Sequence, residues 1–277
     1  MNLVSTFDAT RRSRSRSRWG ARRRLAAGAL GVALAAALGA GAARGATVTA
    51  VITADNAYGF GYGSLTSLSA TYGGVENCTA ADIFSCATGP ETYSGVPAPT
   101  GSYLYIIAYS DNATTQGVLG DFIAGLDTTA TGTANFEVFA TGQDINPDCG
   151  GPSNFPSLAT INAQIALANA NAGGAGSSVG WVGPSGGPVG TVGALAIGED
   201  NQSLSRIDFP IVCDIAGDAH WMWYNPQPGV ITDAFRTGPT PPDEPAGAGE
   251  FLIFRIASDV VTPTRTSSWG SLKAIYR

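Results

Sequence analysis

The feature that most constrains this chain is a series of short runs of β-branched and aromatic residues. Turns rich in glycine, proline, asparagine and aspartate separate these runs. In Ala46–Ala54, β-branched residues alternate with small ones, and Asn56–Ser64 would place Tyr58, Phe60 and Tyr62 on one face of a strand. Short alternating runs between turn signals predict strands that pack as a sandwich.

Further runs extend this pattern over most of the chain. Gly101–Asp111 is aromatic or β-branched almost throughout, which predicts a central strand buried on both faces. Gln116–Gly125, Ala134–Gly142 and Gly249–Ser258 are further strand candidates. The chain is also poor in lysine, glutamate and leucine, which disfavours helices. We therefore predict a mainly β fold, a jelly-roll-like antiparallel β-sandwich with Gly- and Pro-rich loops.

One segment breaks the alternation and predicts a single inserted amphipathic helix. Within Pro156–Gly174, Ser157 can cap the start of a helix and a pair of glycines can end it. Its apolar residues at helical spacing are Leu158, Ile161, Ile165, Leu167 and Ala168. We expect this helix to lie against the sandwich, with a Gly-rich loop after it and a Pro-rich loop over Thr237–Gly249.

The first 46 residues have the pattern of a signal peptide. Eight arginines between positions 11 and 24 precede Leu25–Ala40, a segment of 16 uncharged residues. This is shorter than the roughly 20 residues of a membrane span, and small residues follow it as at a cleavage site. We expect an exported chain with a signal peptide at 1–46, a β-sandwich domain at 47–260 and a C-terminal tail at 261–277. An uncleaved membrane anchor is the alternative.

The charge distribution argues against one class of partner. Nine of the 15 basic residues and one of the 21 acidic residues lie within the first 46 positions. The six basic and 20 acidic residues that remain give the rest of the chain a net charge of −14. Nucleic-acid binding needs clustered lysine and arginine, so we expect no nucleic-acid partner.

The cysteines predict disulfide bonds. An even number of cysteines follows the predicted leader, and in an exported chain this indicates two disulfides. The four residues are Cys78, Cys86, Cys149 and Cys213. Three pairings are open, and we favour a short loop closed by Cys78 and Cys86 with a long one closed by Cys149 and Cys213.

Aromatic residues supply the candidate ligand contacts. Trp221 and Trp223 lie two residues apart, so in a strand both rings would share one face and could stack on sugar rings. The alternative, favoured by the burial habits of aromatic residues, is that both belong to the core. Trp181 lies in the Gly-rich loop, and we expect it to be exposed. The other candidates for a ligand-binding surface are His220, Tyr224 and Asn225.

A structural calcium ion is a further hypothesis. Asp55 and Asn56 follow one predicted strand, and Asp111 and Asn112 follow another. Their oxygen atoms are suitable calcium ligands if the two turns meet at one edge of the sandwich. The alternative is that these Asp-Asn pairs are ordinary turn formers.

The sequence offers no clear catalytic constellation. His220 is the single histidine and no G-x-S-x-G turn is present, so a Ser-His-Asp site has little support. A glycosidase needs two carboxylates that face each other, and nothing singles out a pair. The candidate glutamates are scattered over Glu76, Glu91, Glu137, Glu199 and Glu250.

The order of several segments resembles a group of exported bacterial β-sandwich proteins associated with PEP-CTERM sorting signals. The segments are "TADNAYGFGYG", "GPETYSG", "GSYLYIIAYSDNATTQGVLGDF", "NFEVFATG", "INAQIALANA", "DAHWMWYNP" and "GEFLIFRI". The first and third also resemble strand pairs of galactose-binding-like jelly rolls. The resemblance spans most of Val48 to Ile256 and implies a β-sandwich from groups that are mostly uncharacterised or carbohydrate-associated. The chain departs from the group at its end, where "SSWGSLKAIYR" replaces a sorting signal.

These observations predict a secreted, non-catalytic protein of the cell envelope or extracellular matrix that binds carbohydrate or another surface component. A self-assembling structural surface protein is the first alternative. A glycoside hydrolase is the second.

Overall fold

The computed structural model of the chain describes residues 46–55, 57–76, 82–83, 89–109, 117–132, 135–144, 155–174, 178–188, 190, 193–202, 211–226 and 250–262. Within these ranges two antiparallel sheets share one hydrophobic core. The predicted mainly β fold, an antiparallel sandwich, is confirmed. The predicted signal peptide, apart from Ala46, and all but two residues of the C-terminal tail lie outside the described residues.

Eleven strands and two helices lie in the described part of the chain. The strands are β1 (Thr47–Asp55), β2 (Ala57–Gly63), β3 (Leu68–Glu76), β4 (Glu91–Pro97), β5 (Tyr103–Tyr109), β6 (Gly117–Ala124), β7 (Asp127–Ala130), β8 (Glu137–Asp144), β9 (Ala194–Asp200), β10 (His220–Asn225) and β11 (Glu250–Ala257). The helices are α1 (Leu158–Asn169) and α2 (Ser258–Val261).

The strands form two sheets with frequent crossings between them. In sheet 1 the order is β4-β1-β6-β10-β9, with β7 paired to β6, and in sheet 2 it is β3-β2-β5-β11-β8. The chain changes sheet between β1 and β2, between β3 and β4, between β4 and β5, and between β5 and β6. Because of these repeated crossings, strands from early and late parts of the described chain contribute side chains to the same core.

Sheet 2 is buried on both of its faces. Along β5, alternate side chains lie in two separate apolar clusters, as the period of two in a strand requires. Leu104, Ile106 and Ala108 lie in the cluster shared with sheet 1. Tyr105, Ile107 and Tyr109 lie in a second cluster together with residues of α1. The prediction of a central strand buried on both faces is therefore confirmed.

Helix α1 covers the outer face of sheet 2. Its buried residues, Ile161, Gln164, Ile165 and Ala168, follow helical spacing. The side chain of Asn162 accepts from the backbone N–H of Leu68 at 2.7 Å and donates to its carbonyl at 3.2 Å, which ties the helix to β3. The predicted helix is present, but two of its predicted apolar contacts are wrong.

The two exceptions are Leu158 and Leu167, which are 42% and 38% exposed. Leu167 follows Ile165 by two residues, so it lies about 200° around the helix from the buried stripe. Leu158 is the first residue of the helix, where its side chain is exposed to solvent.

A cluster of tyrosines closes one edge of the sandwich, where β3 and β4 are the outermost strands. The Tyr58 hydroxyl donates to Glu91 Oε2 at 2.8 Å and shares a hydrogen bond of 2.9 Å with the Tyr93 hydroxyl. Phe60 lies beneath Tyr93, with ring centroids 5.2 Å apart. Burial raises the pKa of Glu91, although the bond from Tyr58 opposes that shift.

The cap of α1 gives a test of this arrangement. Ser157 Oγ accepts from the backbone N–H of Thr160 at 3.1 Å, which satisfies one of the otherwise unpaired donors of the first turn. We expect Ser157→Ala to lower the unfolding free energy by about 1 kcal/mol. Chemical denaturation would measure it, with Ser185→Ala at an exposed turn as the control. Equal stability of the two variants would contradict this role.

Candidate functional site

The predicted aromatic platform on β10 is part of the core. Trp221 and Trp223 are 1% and 8% exposed, and both lie in the cluster between the sheets. The ring of Trp223 lies 6.2 Å from that of Phe254 in sheet 2, centroid to centroid. A sugar could not stack on these rings without displacing sheet 2, so the core alternative is the one that the structure shows.

The other predicted residues of this strand are also turned away from solvent. Tyr224 and Asn225 are buried, and His220 is half-buried. His220 Nδ1 lies 2.9 Å from the carbonyl oxygen of Gly198, and its backbone N–H donates to Thr131. These contacts give the histidine a structural role in joining β10 to its neighbours.

The core role of Trp223 can be separated from a ligand-binding role. We expect Trp223→Ala to lower the unfolding free energy by about 3–5 kcal/mol, because it leaves a cavity against Phe254. The control is Leu126→Ala, since Leu126 is 93% exposed and should contribute little. A change in Trp223→Ala as small as that in the control would contradict the core assignment.

Trp181 is buried, so the expectation that it is exposed is wrong. Its indole is 6% exposed. Val182 and Val138 exchange two backbone hydrogen bonds of 2.8 and 2.9 Å, which hold the Gly-rich loop against β8. The ring therefore packs on Phe139, at 6.0 Å between centroids, and its Nε1 donates to Asn169 Oδ1 at 2.8 Å.

Trp181 nevertheless lines a cavity formed by described residues. The cavity has a volume of about 420 Å³ and opens on the outer face of sheet 2. This is within the range of roughly 300–1,000 Å³ common for ligand sites. Its walls are the turn after β2, the end of α1, the Gly-rich segment and two strands of sheet 2, and its residues are Leu65, Thr66, Glu137, Ala168, Asn169, Asn171, Trp181, Gly183, Gly186, Gly187, Pro188 and Arg255.

An arginine paired with a carboxylate forms the floor of the cavity. Arg255 Nε and Nη2 both donate to Glu137 Oε2 at 2.7 Å. The arginine side chain is 8% exposed and that of Glu137 is 41% exposed. The guanidinium lies 3.8 Å from the centroid of the Trp181 ring and 5.1 Å from that of Tyr103. A cation enclosed in this way is held by its charge partner and by the faces of two rings.

Asn169 connects this floor to the walls. Its Oδ1 accepts from both Trp181 Nε1 and Arg255 Nη1, the latter at 3.0 Å. Its Nδ2 donates to the Leu65 carbonyl at 2.8 Å, which fixes the turn that forms one wall. Both ends of the amide are thus engaged within the protein.

A tyrosine supports the same turn from below. Burial raises the pKa of Tyr105 to about 12, although the nearby Arg255 opposes this shift. The hydroxyl therefore stays protonated at neutral pH and donates to the Ser64 carbonyl at 2.5 Å. The cavity thus has a hydrogen-bonded floor and wall before any ligand arrives.

The pairing of Arg255 with Glu137 was not predicted from the sequence. The available signal was a charge inside each of two largely apolar segments, Arg255 in "GEFLIFRI" and Glu137 in "NFEVFATG". A lone charge in a strand buried on both faces needs a partner, and β8 and β11 are neighbours that place Glu137 opposite Arg255.

Comparison of the chain with protein-family models, with curated proteins and with solved structures finds no match. The resemblance to PEP-CTERM-associated proteins stays a prediction.

Only one of the four predicted calcium ligands lies in the described residues. Asp55 is buried at the end of β1, whereas Asn56, Asp111 and Asn112 lie outside the described ranges. The strand register places Ala57 opposite Tyr109, so the segments that follow Asp55 and Tyr109 start at the same edge. Among the described residues no group of three or more His, Cys, Asp or Glu could hold a metal ion. The calcium site stays a prediction.

Cys213 is disulfide-bonded. Cys78, Cys86 and Cys149 lie outside the described residues, so the favoured pairing of Cys149 with Cys213 stays a prediction. No helix in the described ranges is long and apolar enough to cross a membrane.

A buried carboxyl group lies on sheet 1, apart from the cavity. Asp121 is 3% exposed, and its Oδ2 accepts from the backbone N–H of Ala216 at 2.5 Å. Within the described part of the structure, its Oδ1 has no hydrogen-bond partner. Burial raises the pKa of Asp121, the bond from Ala216 opposes the shift, and the charge of Asp218 adds to it.

The raised pKa of Asp121 makes stability depend on pH. The folded state holds this proton more tightly than the unfolded chain, so the stabilisation is full below about pH 4 and is lost as pH rises through the raised pKa. We expect the unfolding free energy to fall more steeply between about pH 4 and 7 in the wild type than in Asp121→Asn. Chemical denaturation at several pH values in this range would measure the slopes, with the exposed Asp214→Asn as the control. Equal slopes for the wild type and Asp121→Asn would contradict the prediction.

Proposed function

We propose that this chain is an exported, non-catalytic β-sandwich protein of the cell envelope or extracellular matrix that binds carbohydrate in the cavity on sheet 2. The observation that carries the proposal is the cavity itself, which is ordered by hydrogen bonds before binding and is lined by a carboxylate, an indole ring and a Gly-rich main-chain segment. In a concave binding site, a small number of polar groups that are already held in place sets the orientation of the ligand.

Two features favour binding over catalysis at this cavity. Among the described residues that line it, Glu137 is the single acidic one, whereas glycoside hydrolysis requires two facing carboxyl groups. Its Oε2 is also committed to two bonds from Arg255, which favours a positioning role for that oxygen.

Export is supported by the sequence and by one structural fact. The arginine-rich start followed by an uncharged segment has the pattern of a signal peptide. A disulfide at Cys213 is consistent with an oxidising compartment outside the cytoplasm.

Filling the cavity tests the proposal. Thr66 is exposed on its wall, so Thr66→Phe should occupy part of the space without disturbing the buried Arg255. We expect polysaccharide binding by the wild-type chain, measured by titration calorimetry against a panel, and at least a tenfold loss of affinity in Thr66→Phe.

The matched control is Thr128→Phe, which adds the same ring at an exposed position of β7 in sheet 1. It should bind as the wild type does. Equal binding by Thr66→Phe and Thr128→Phe would place the ligand elsewhere, and failure of every polysaccharide to bind would overturn the proposal.

A further inference from the structure

Two of the described residues that line the cavity are charged, and they differ in their access to a ligand. Arg255 is 8% exposed at its side chain, lies against the rings of Trp181 and Tyr103, and uses Nε, Nη1 and Nη2 on Glu137 and Asn169. With 8% of its side chain exposed, the guanidinium offers little surface to an incoming anion. The positive charge of the site is therefore already neutralised within the protein.

Glu137 keeps one oxygen for a ligand. Both bonds from Arg255 end on its Oε2, and in the described part of the structure its Oε1 has no hydrogen-bond partner. With 41% of its side chain exposed at the cavity, Glu137 offers a carboxylate oxygen that can only accept hydrogen bonds. A partner for it must bring a donor, such as a hydroxyl group.

The Asn169 amide is a neutral group, and one of its two N–H groups is already used within the protein. Asn169 Nδ2 donates to Leu65, and its Oδ1 accepts from Trp181 and Arg255. The indole N–H of Trp181 is used in the same set of bonds. The side chains of the floor thus leave an acceptor facing the cavity and no cationic donor.

The segment that builds the surrounding walls carries no charge either. From Pro156 to Gly198, which includes α1 and the whole Gly-rich segment, the sequence has no aspartate, glutamate, lysine or arginine. Nothing in this covering layer can compensate a carboxylate, sulfate or phosphate on a ligand. An anionic group placed beside Glu137 would meet a like charge, and the cation beside it, Arg255, is already paired with Glu137.

We infer that the cavity selects sugars without acidic groups, binding them through hydroxyl groups that donate to Glu137 Oε1, and rejects uronic, sulfated or phosphorylated sugars. This inference rests on the proposed function and names its ligand class.

The test compares neutral and acidic polysaccharides on the full chain by titration calorimetry. The neutral set is dextran, mannan, galactan and fully methyl-esterified pectin, and the acidic set is alginate, hyaluronan and the same pectin after removal of its ester groups. We expect every binder to be neutral, with an affinity at least tenfold above that of any acidic member. This comparison uses the wild type and does not depend on the folding of a variant.

Glu137→Gln adds a second readout. Because a hydrogen bond to a charged acceptor is worth more than one to a neutral acceptor, the variant should bind the neutral ligand about 10-fold or more weakly and lose its discrimination against acidic sugars. The matched control, Glu199→Gln on β9 of sheet 1, should keep both affinity and discrimination.

The outcomes separate this inference from the proposed function. Tightest binding of an acidic polysaccharide that Thr66→Phe abolishes would overturn the inference and leave carbohydrate binding at the cavity standing. Equal binding of neutral and acidic members would also overturn it. Binding of no member would overturn both proposals.

Discussion

The burial of sheet 2 on both faces is the constraint on which the rest of this structure depends. β5 and β11 place apolar side chains on alternate faces, so one set packs against sheet 1 and the other needs a second cover. Helix α1 and the ring of Trp181 provide that cover. The cavity lies where the helix ends and the Gly-rich segment takes over, so it is a consequence of how the outer face of sheet 2 is sheltered.

Arg255 places a positive charge next to this apolar cover. A guanidinium at the edge of the outer cluster is tolerated because Glu137, Asn169 and two aromatic rings enclose it. The same contacts join β8, β11, α1 and the Trp181 segment, which are distant in sequence. Burying these charges costs free energy, which offsets much of the attraction between them.

The sequence predicted those elements whose local residue pattern agrees with their burial in the fold. Both-face burial was predicted for β5 from an unbroken apolar run, and α1 was predicted from its spacing and its serine cap. β3 and β4 were not predicted, since Gly73-Gly74 and Ser94-Gly95 interrupt them and they lie at sheet edges.

The site was harder to predict than the fold. Trp181 was expected to be exposed because its neighbours in sequence are glycines, whereas its burial comes from contacts with β8 and α1 that lie outside any local window. Glu137 and Arg255 are separated by more than a hundred residues, so their pairing follows from strand order alone. The burial of Trp221 and Trp223 agreed with the general habit of aromatic residues and not with their proposed use as a platform.

The Gly-rich wall also limits how such a cavity can change. At Gly183, Gly186 and Gly187 the ligand would meet main chain, whose amide and carbonyl groups are the same whatever the residue. Gly186 has a φ of +92°, a conformation that other residues adopt only with strain, so a side chain cannot be added there without remodelling the wall. A change in the shape of this wall would therefore come from the length of the Gly-rich segment and not from a side chain added at Gly186.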